Sequence, residues 1–136
     1  MTKIGVIGAG QLGQMLGYAG QRLGLEFVFL DPSDNPPAAS VGPVLKYAFD
    51  SDEGLRRLAE ETDVITYEFE NVPVGAISKI KPETPVYPPA KALEHAQDRL
   101  AEKKLFGTLE IPLPGFRAID STDDLLEIQP HYGRSI

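Results

Sequence analysis

The sequence predicts an α/β fold: a three-layer domain in which a parallel sheet lies between helices on both faces, followed by the stub of a second domain. Short apolar runs alternate with helical periodicity through the first half of the 136-residue chain, the pattern of parallel strands joined by crossover helices. The first run, Ile4 to Ile7, leads directly into Gly8-Ala9-Gly10-Gln11-Leu12-Gly13 and then a helical pattern, a strand, tight turn and helix in sequence. A proline-rich stretch, Ile111-Pro112-Leu113-Pro114-Gly115, then marks off the remainder, because proline and the residue before it favour extended backbone.

Taken in order, strand one covers about Lys3 to Gly8. The following helix, Gln11 to about Leu23, places Leu12, Met15, Leu16, Ala19 and Leu23 on one face, with Leu12 expected to pack inward, and Gly24 ends it. Strand two is about Glu26 to Leu30, and Asp31-Pro32-Ser33-Asp34 breaks the chain. Val44 to Tyr47 reads as a short third strand, Asp52 to Glu61 as a second helix and Val64 to Tyr67 as strand four. Pro73 opens a short helix, Pro85-Val86-Tyr87 reads as a fifth strand, and a longer helix is expected over about Asp98 to Leu109. Beyond the linker, Phe116 to Ile119 reads as one more strand. Ser121 and Asp124 form a capping signature for a helix that barely begins before Pro130. Residues 128–136 carry no periodic apolar pattern, so the domains are expected at 1–110 and 111–136, the latter a linker and the start of a further domain cut short.

Composition excludes several functions. The chain has no Cys, hence no disulfide, thiolate metal site or cysteine nucleophile, which fits a reducing, cytoplasmic setting. Twenty acidic against 13 basic side chains give a formal charge of −7, with basic residues scattered rather than clustered, so no nucleic-acid footprint is expected. No apolar run approaches the roughly 18 residues of a membrane span, and no leader pattern opens the chain. His95 and His131 are too far apart in sequence for a metal motif.

The residues that can carry chemistry gather at strand ends. The glycine turn brings amide N–H groups and the positive end of a helix dipole toward an anion; Gly10 belongs to the turn, Gln11 can reach a bound sugar or phosphate with its amide, and Leu12 can contact one through its backbone. The alternative is that the glycines serve only the turn and helix–strand packing. Asp31, at the end of strand two and about 20 residues past the glycines, sits where a dinucleotide site places a ribose-binding carboxylate, or else merely initiates the turn at Pro32. In Ile65-Thr66-Tyr67-Glu68-Phe69-Glu70-Asn71-Val72-Pro73 two carboxylates emerge at the carboxyl end of a buried strand. If extended geometry persists they share a face, and a ribose or amine between them would relieve their repulsion. The bland reading has Glu70 solvated and Asn71 capping the next helix. Arg99 is either a phosphate fork or a solvated cation paired with Glu102 or Glu94.

Gly8-Ala9-Gly10-Gln11-Leu12-Gly13-Gln14-Met15, Leu30-Asp31-Pro32, the Tyr67-Glu68-Phe69-Glu70-Asn71-Val72 run and Gln97-Asp98-Arg99-Leu100 with Lys103 and Phe106, in that order, resemble the N-terminal portion of the 5-(carboxyamino)imidazole ribonucleotide synthases. That family is the ATPase subunit of phosphoribosylaminoimidazole carboxylase, within the ATP-grasp superfamily. The resemblance covers about Thr2 to Glu127. It implies a Rossmann-like pre-ATP-grasp domain and a purine-biosynthesis ligase in which ATP, with magnesium, activates bicarbonate to carboxylate aminoimidazole ribonucleotide. It also implies a homodimer, ribonucleotide binding at Gly10, Gln11, Leu12, Glu68 and Asn71, and a nucleotide phosphate at Arg99. The family's later lysine-bearing strand, glycine-rich loop and magnesium carboxylates have no counterpart here. The chain alone is therefore expected to have negligible ligase activity and no catalytic or metal-binding residue of its own, and to bind ATP and magnesium no better than weakly. Two other readings are an NAD(P)-binding Rossmann oxidoreductase, which needs Asp31 on a ribose, and a noncatalytic dimerisation module.

Overall fold

The computed structural model describes residues 1–80 and 82–132, with side chains through 128. The chain divides into two compact units, residues 1–98 and 99–136. Residues 133–136 and the side chain of His131 lie outside the described residues.

The first unit is built on four parallel strands, β1 (Lys3–Ile7), β2 (Glu26–Leu30), β3 (Val44–Leu45) and β4 (Val64–Tyr67), in the order β3-β2-β1-β4. β1 pairs with β2 from Lys3↔Glu26 to Ile7↔Leu30 and with β4 from Ile4↔Val64 to Ile7↔Tyr67. The chain runs outward from β1 through β2 to β3 and then returns to β4 on β1's other side. The carboxyl ends of β1 and β4 thus flank the point where the winding reverses, the place where open parallel sheets bind ligands.

Alternation along the strands separates two cores. Val6, Phe27 and Phe29 point to one face and pack with Ala9, Ala38 and Val41. Ile7, Val28, Leu30 and Ile65 point to the other, where they meet Leu55, Leu58, Val72, Ile77 and Leu93. The first face is covered by α1 (Gln11–Gln21) and a short 3₁₀ turn, Pro37–Ser40; the second carries α2 (Asp52–Glu61), α3 (Val74–Ile77) and α4 (Ala90–Gln97). This is the expected three-layer arrangement. Fully burying each Leu or Ile stabilises the fold by roughly 1.5–3 kcal/mol, and Ile7, Leu30, Leu55, Leu58 and Ile65 are all at or below 2% exposure.

α1 packs differently from its apolar pattern. Its buried residues are Gly13, Gly17 and Gly20, whereas Leu12 is 59% exposed, Met15 65%, Leu16 40% and Leu23 78%. The reason is distance: a Cβ at Gly17 would overlap Val41, and one at Gly20 would overlap the Phe27 ring. The helix lies so close to the sheet that only glycine fits beneath it. The expectation that Leu12 packs inward is therefore corrected. The C-terminus matches the sequence reading, since Leu25 N–H donates to Gly20 C=O and Gly24 N–H to Gln21 C=O, with Gly24 at φ +74°, a Schellman close.

Four further readings are corrected. Pro85-Val86-Tyr87 is not a full strand: one parallel bridge, Ile65↔Val86, flanks β4, held by Ile65 N–H to Pro85 C=O and Tyr87 N–H to Ile65 C=O, both 2.9 Å. The helix expected from Asp98 is preceded by another, α4, and Asp98 in extended backbone (φ −109°, ψ 119°) closes α4. In the second unit, α5 (Arg99–Thr108) is followed by irregular chain rather than a strand over Phe116 to Ile119, where Lys103 Nζ lies 5.1 Å from the Phe116 ring centroid. α6 (Thr122–Tyr132) runs on through Pro130 instead of stopping before it. Its start follows the sequence signature: Asp124 N–H donates to Ser121 Oγ at 3.1 Å and Ser121 N–H to Asp124 Oδ2 at 2.9 Å, a reciprocal cap. The Ser121 hydroxyl, which donates to Asp124 Oδ2 at 2.8 Å, and then the Asp120 and Ser121 backbone N–H groups hold the Asp124 carboxyl below its ordinary pKa.

Candidate functional site at the carboxyl edge of the sheet

The site is assembled by three loops that leave β1, β2 and β4 at the same edge. Gly8 leaves β1 at φ +103°, a backbone region that L side chains rarely adopt, while its N–H still donates to Leu30 C=O at 2.9 Å. The chain can then turn at once into α1. Past β4, Glu68 N–H donates to Ile7 C=O at 3.2 Å, so the first residue of the Glu68-Phe69-Glu70-Asn71 loop is still registered on β1.

Glu68 reaches back across this edge into the glycine turn. Its Oε1 accepts from Gly10 N–H at 2.8 Å and its Oε2 from Gly13 N–H. These are among the donors that a helix start leaves without intrahelical partners, and a carboxylate there is favoured by both the charged hydrogen bonds and the helix dipole. Glu68 takes the amides of Gly10 and Gly13 and leaves those of Gln11 and Leu12, whose side chains are exposed at the mouth of the turn. The structure thus brings Gly10, Gln11, Leu12 and Glu68 together.

Asp31 is the buried acidic side chain of this edge, at 7% exposure. Its Oδ2 accepts from Ala9 N–H at 3.0 Å and its Oδ1 from Ser33 N–H at 2.8 Å. Both oxygens are committed to holding the turn after β2 against the glycine turn. The sequence left open whether Asp31 binds a ribose or shapes a turn; the geometry is that of turn and clamp.

Beside Glu68 runs a groove of about 340 Å³ lined by Tyr67, Glu68, Phe69, Glu70, Pro88, Leu93 and neighbouring alanines of α4. Burial raises the Tyr67 phenol above its ordinary pKa, so that group stays neutral at this edge. Glu70 and Asn71 are exposed, and α3 begins after Pro73 without a side-chain cap, so Asn71 does not serve the helix as the capping reading supposed. A larger cavity, about 400 Å³, lies away from the sheet edge between α2 and the Lys79 segment and is bridged by the Lys79–Asp52 ion pair at 2.7 Å. Its lining includes neither the glycine turn nor the carboxyl end of a strand.

Gln97 is a site residue that sequence reasoning missed. Its Nε2 donates to Glu70 C=O at 2.6 Å and to Val72 C=O at 2.5 Å, pinning the loop that carries Glu68 and Asn71 to the end of α4. The signal that could have found it is its place in Gln97-Asp98-Arg99, singled out above only as part of a motif. Arg99 opens the second unit, where its exposed guanidinium pairs with Glu102, the bland partner expected for it.

With this geometry in place, comparison with known proteins is specific. Residues 1–97 match the family described as the ribonucleotide synthetase preATP-grasp domain. The N5-carboxyaminoimidazole ribonucleotide synthase of Pseudomonas aeruginosa is 47% identical over 123 residues, covering 90% of this chain and 34% of that protein. The crystal structure of N5-carboxyaminoimidazole ribonucleotide synthetase from Thermus thermophilus superposes at a TM-score of 0.85 with 49% identity, over 96% of this chain and 36% of the other. That of the Aspergillus clavatus synthase in complex with ADP and 5-aminoimidazole ribonucleotide gives 0.83 with 28% identity, over 98% and 36%. The chain thus spans about a third of the length of the relatives it matches.

Proposed function

Since this chain belongs to the ribonucleotide synthetase pre-ATP-grasp domain family, we propose that it is the ribonucleotide-binding domain of an N5-carboxyaminoimidazole ribonucleotide synthase, acting in purine biosynthesis. The observation that carries the reading is the Glu68 carboxylate fixed at the reversal point of the sheet, with Gln11 and Leu12 beside it. A relative with the same fold holds 5-aminoimidazole ribonucleotide, and a fixed carboxylate beside the exposed Gln11 side chain suits a ligand rich in hydroxyl and amine donors. Gly10 contributes through Glu68, Gln11 by its side chain, Leu12 by its backbone and Asn71 from the loop that Gln97 pins.

In this reading residues 1–110 form the substrate domain and 111–136 lead toward the ATP-grasp portion of a whole enzyme. The whole enzyme works as a cytoplasmic homodimer. ATP supplies the phosphoryl group that activates bicarbonate, and Arg99 is the residue here that meets a nucleotide phosphate. Among the described residues no cluster of acidic or histidine side chains can hold a metal ion, so these residues do not fit a magnesium site. The chain's own contribution is to bind and orient the ribonucleotide amine. Alone it carries negligible ligase activity. No helix among the described residues is long and apolar enough to cross a membrane.

Calorimetric titration with aminoimidazole ribonucleotide tests the reading. Saturable heat that is lost in Glu68→Ala is the expected result. No heat at millimolar ligand, with the chain folded by circular dichroism, would overturn it.

A further inference from the structure

The glycine motif has a second explanation that its sequence conceals. All three of its glycines face the same side chain. A Cβ on Gly8 would lie 2.5 Å from Glu68 Cγ, one on Gly10 2.8 Å from Glu68 Oε1, and one on Gly13 2.7 Å from Glu68 Oε2. Two amides of the turn, those of Gly10 and Gly13, donate to the two oxygens of that carboxylate. Glu68, which follows β4 and lies 55 residues from Gly13 along the chain, thus occupies the concave side of the turn with a negative charge, beside the amides of Gln11 and Leu12 that it leaves.

We propose that Glu68 is a built-in anion that closes the glycine turn to phosphate and so determines the class of ligand this edge accepts: hydroxyl and amine donors, not a phosphate or pyrophosphate. A phosphate brought to the same amides would have to displace the carboxylate or sit within a few ångströms of it, where like charges repel strongly in a partly desolvated site. A hydroxyl or ammonium group donates to the carboxylate's remaining lone pairs without disturbing its amide bonds. The inference deepens the ribonucleotide reading, since it assigns the sugar or amine end of such a ligand to Glu68 and its phosphate to a place outside the glycine turn. It also explains why a motif of dinucleotide type sits here beside an Asp31 turned to a structural task.

Inorganic pyrophosphate is the probe, because it tests the turn without any ribonucleotide and its outcome is independent of whether the ribonucleotide reading holds. Amide spectra of the ¹⁵N-labelled chain are recorded as pyrophosphate is added to the wild type, Glu68→Ala and Glu68→Gln. The wild-type Gly10 and Gly13 resonances are expected to stay in place at millimolar pyrophosphate. In Glu68→Ala they should shift saturably, with affinity at least about tenfold above wild type and weakened by salt. Should Glu68→Ala lose its native spectrum, Glu68→Gln, which keeps the shape and removes the charge, is expected to show the same gain to a smaller degree. Shifts of Gly10 and Gly13 in the wild type would overturn the proposal, as would folded Glu68 variants that bind pyrophosphate no better than wild type.

Discussion

Replacing Gly8 with Ala separates the two reasons a glycine stands there. The first is backbone: at φ +103° a non-glycine residue is strained by about 1–3 kcal/mol. The second is space, because the new methyl would sit 2.5 Å from Glu68 Cγ and 2.8 Å from Phe69 Cε1. Gly8 cannot withdraw while its N–H is bound to Leu30 C=O at 2.9 Å, so overpacking adds about 1–3 kcal/mol. Alanine restricts the unfolded chain and returns roughly 0.4–1 kcal/mol, leaving a net loss of about 2–5 kcal/mol. That is a large part of the total stability of an ordinary domain, about 5–15 kcal/mol. It would lower Tm by about 8–40 °C, at roughly 4–8 °C per kcal/mol for a unit of this size. Gly24→Ala is the internal control: φ is +74°, yet nothing lies within 4 Å of the added Cβ, so only strain of about 1–2 kcal/mol remains. Urea unfolding followed by circular dichroism reads both. A Gly8→Ala loss within about 0.5 kcal/mol of the Gly24→Ala loss, the usual scatter of surface substitutions, would refute the contact argument.

Other outcomes follow from the same geometry. Met15→Ser, on the 65% exposed side of α1, should change stability by no more than about 0.5 kcal/mol, while Leu55→Ala at 2% exposure should lose about 2–5 kcal/mol; urea midpoints compare them. Asp31→Asn puts an amide NH₂ opposite Ala9 N–H or Ser33 N–H and should cost about 1–3 kcal/mol, with faster hydrogen exchange at Ala9 showing where the clamp opened. The Asp124 carboxyl has a depressed folded pKa, so its contribution to the α6 cap is present above the ordinary carboxylate range and is lost as pH falls through the folded value. Asp124→Asn should flatten the acid limb of the helical signal in a pH titration by circular dichroism, and an unchanged limb would contradict the cap.

How much of this was legible in the sequence depended on how local the cause was. α2 and β4 lie where the periodicity placed them, and the Ser121–Asp124 cap forms as its spacing foretold, because neighbours within one turn decide those features. The apolar stripe of α1 argues for Leu12, Met15 and Leu16 facing inward, but close approach to Val41 and Phe27 turns its glycine side inward, an outcome set by what packs against the helix rather than by the helix itself. Pro85 to Tyr87 has strand character, yet only Ile65 offers it a partner. At the candidate site, the place of Glu68 after a strand and of Gln11 at a helix start is legible in the sequence. That Glu68 enters the glycine turn is not, since a contact across 55 residues leaves no periodicity. Gln97 was hidden for the same reason, its carbonyl partners lying on a loop brought near by the fold.

The central claim is that the carboxyl edge of β1 and β4 binds a ribonucleotide through Gln11, Leu12 and Glu68. Amide spectra of the ¹⁵N-labelled chain titrated with aminoimidazole ribonucleotide test it most directly. The account predicts saturable shifts concentrated at Gln11, Leu12, Glu68 and the following loop to Asn71, while residues lining the cavity between α2 and Lys79 stay in place. Shifts confined to that other cavity, or none at millimolar ligand in a folded chain, would contradict it.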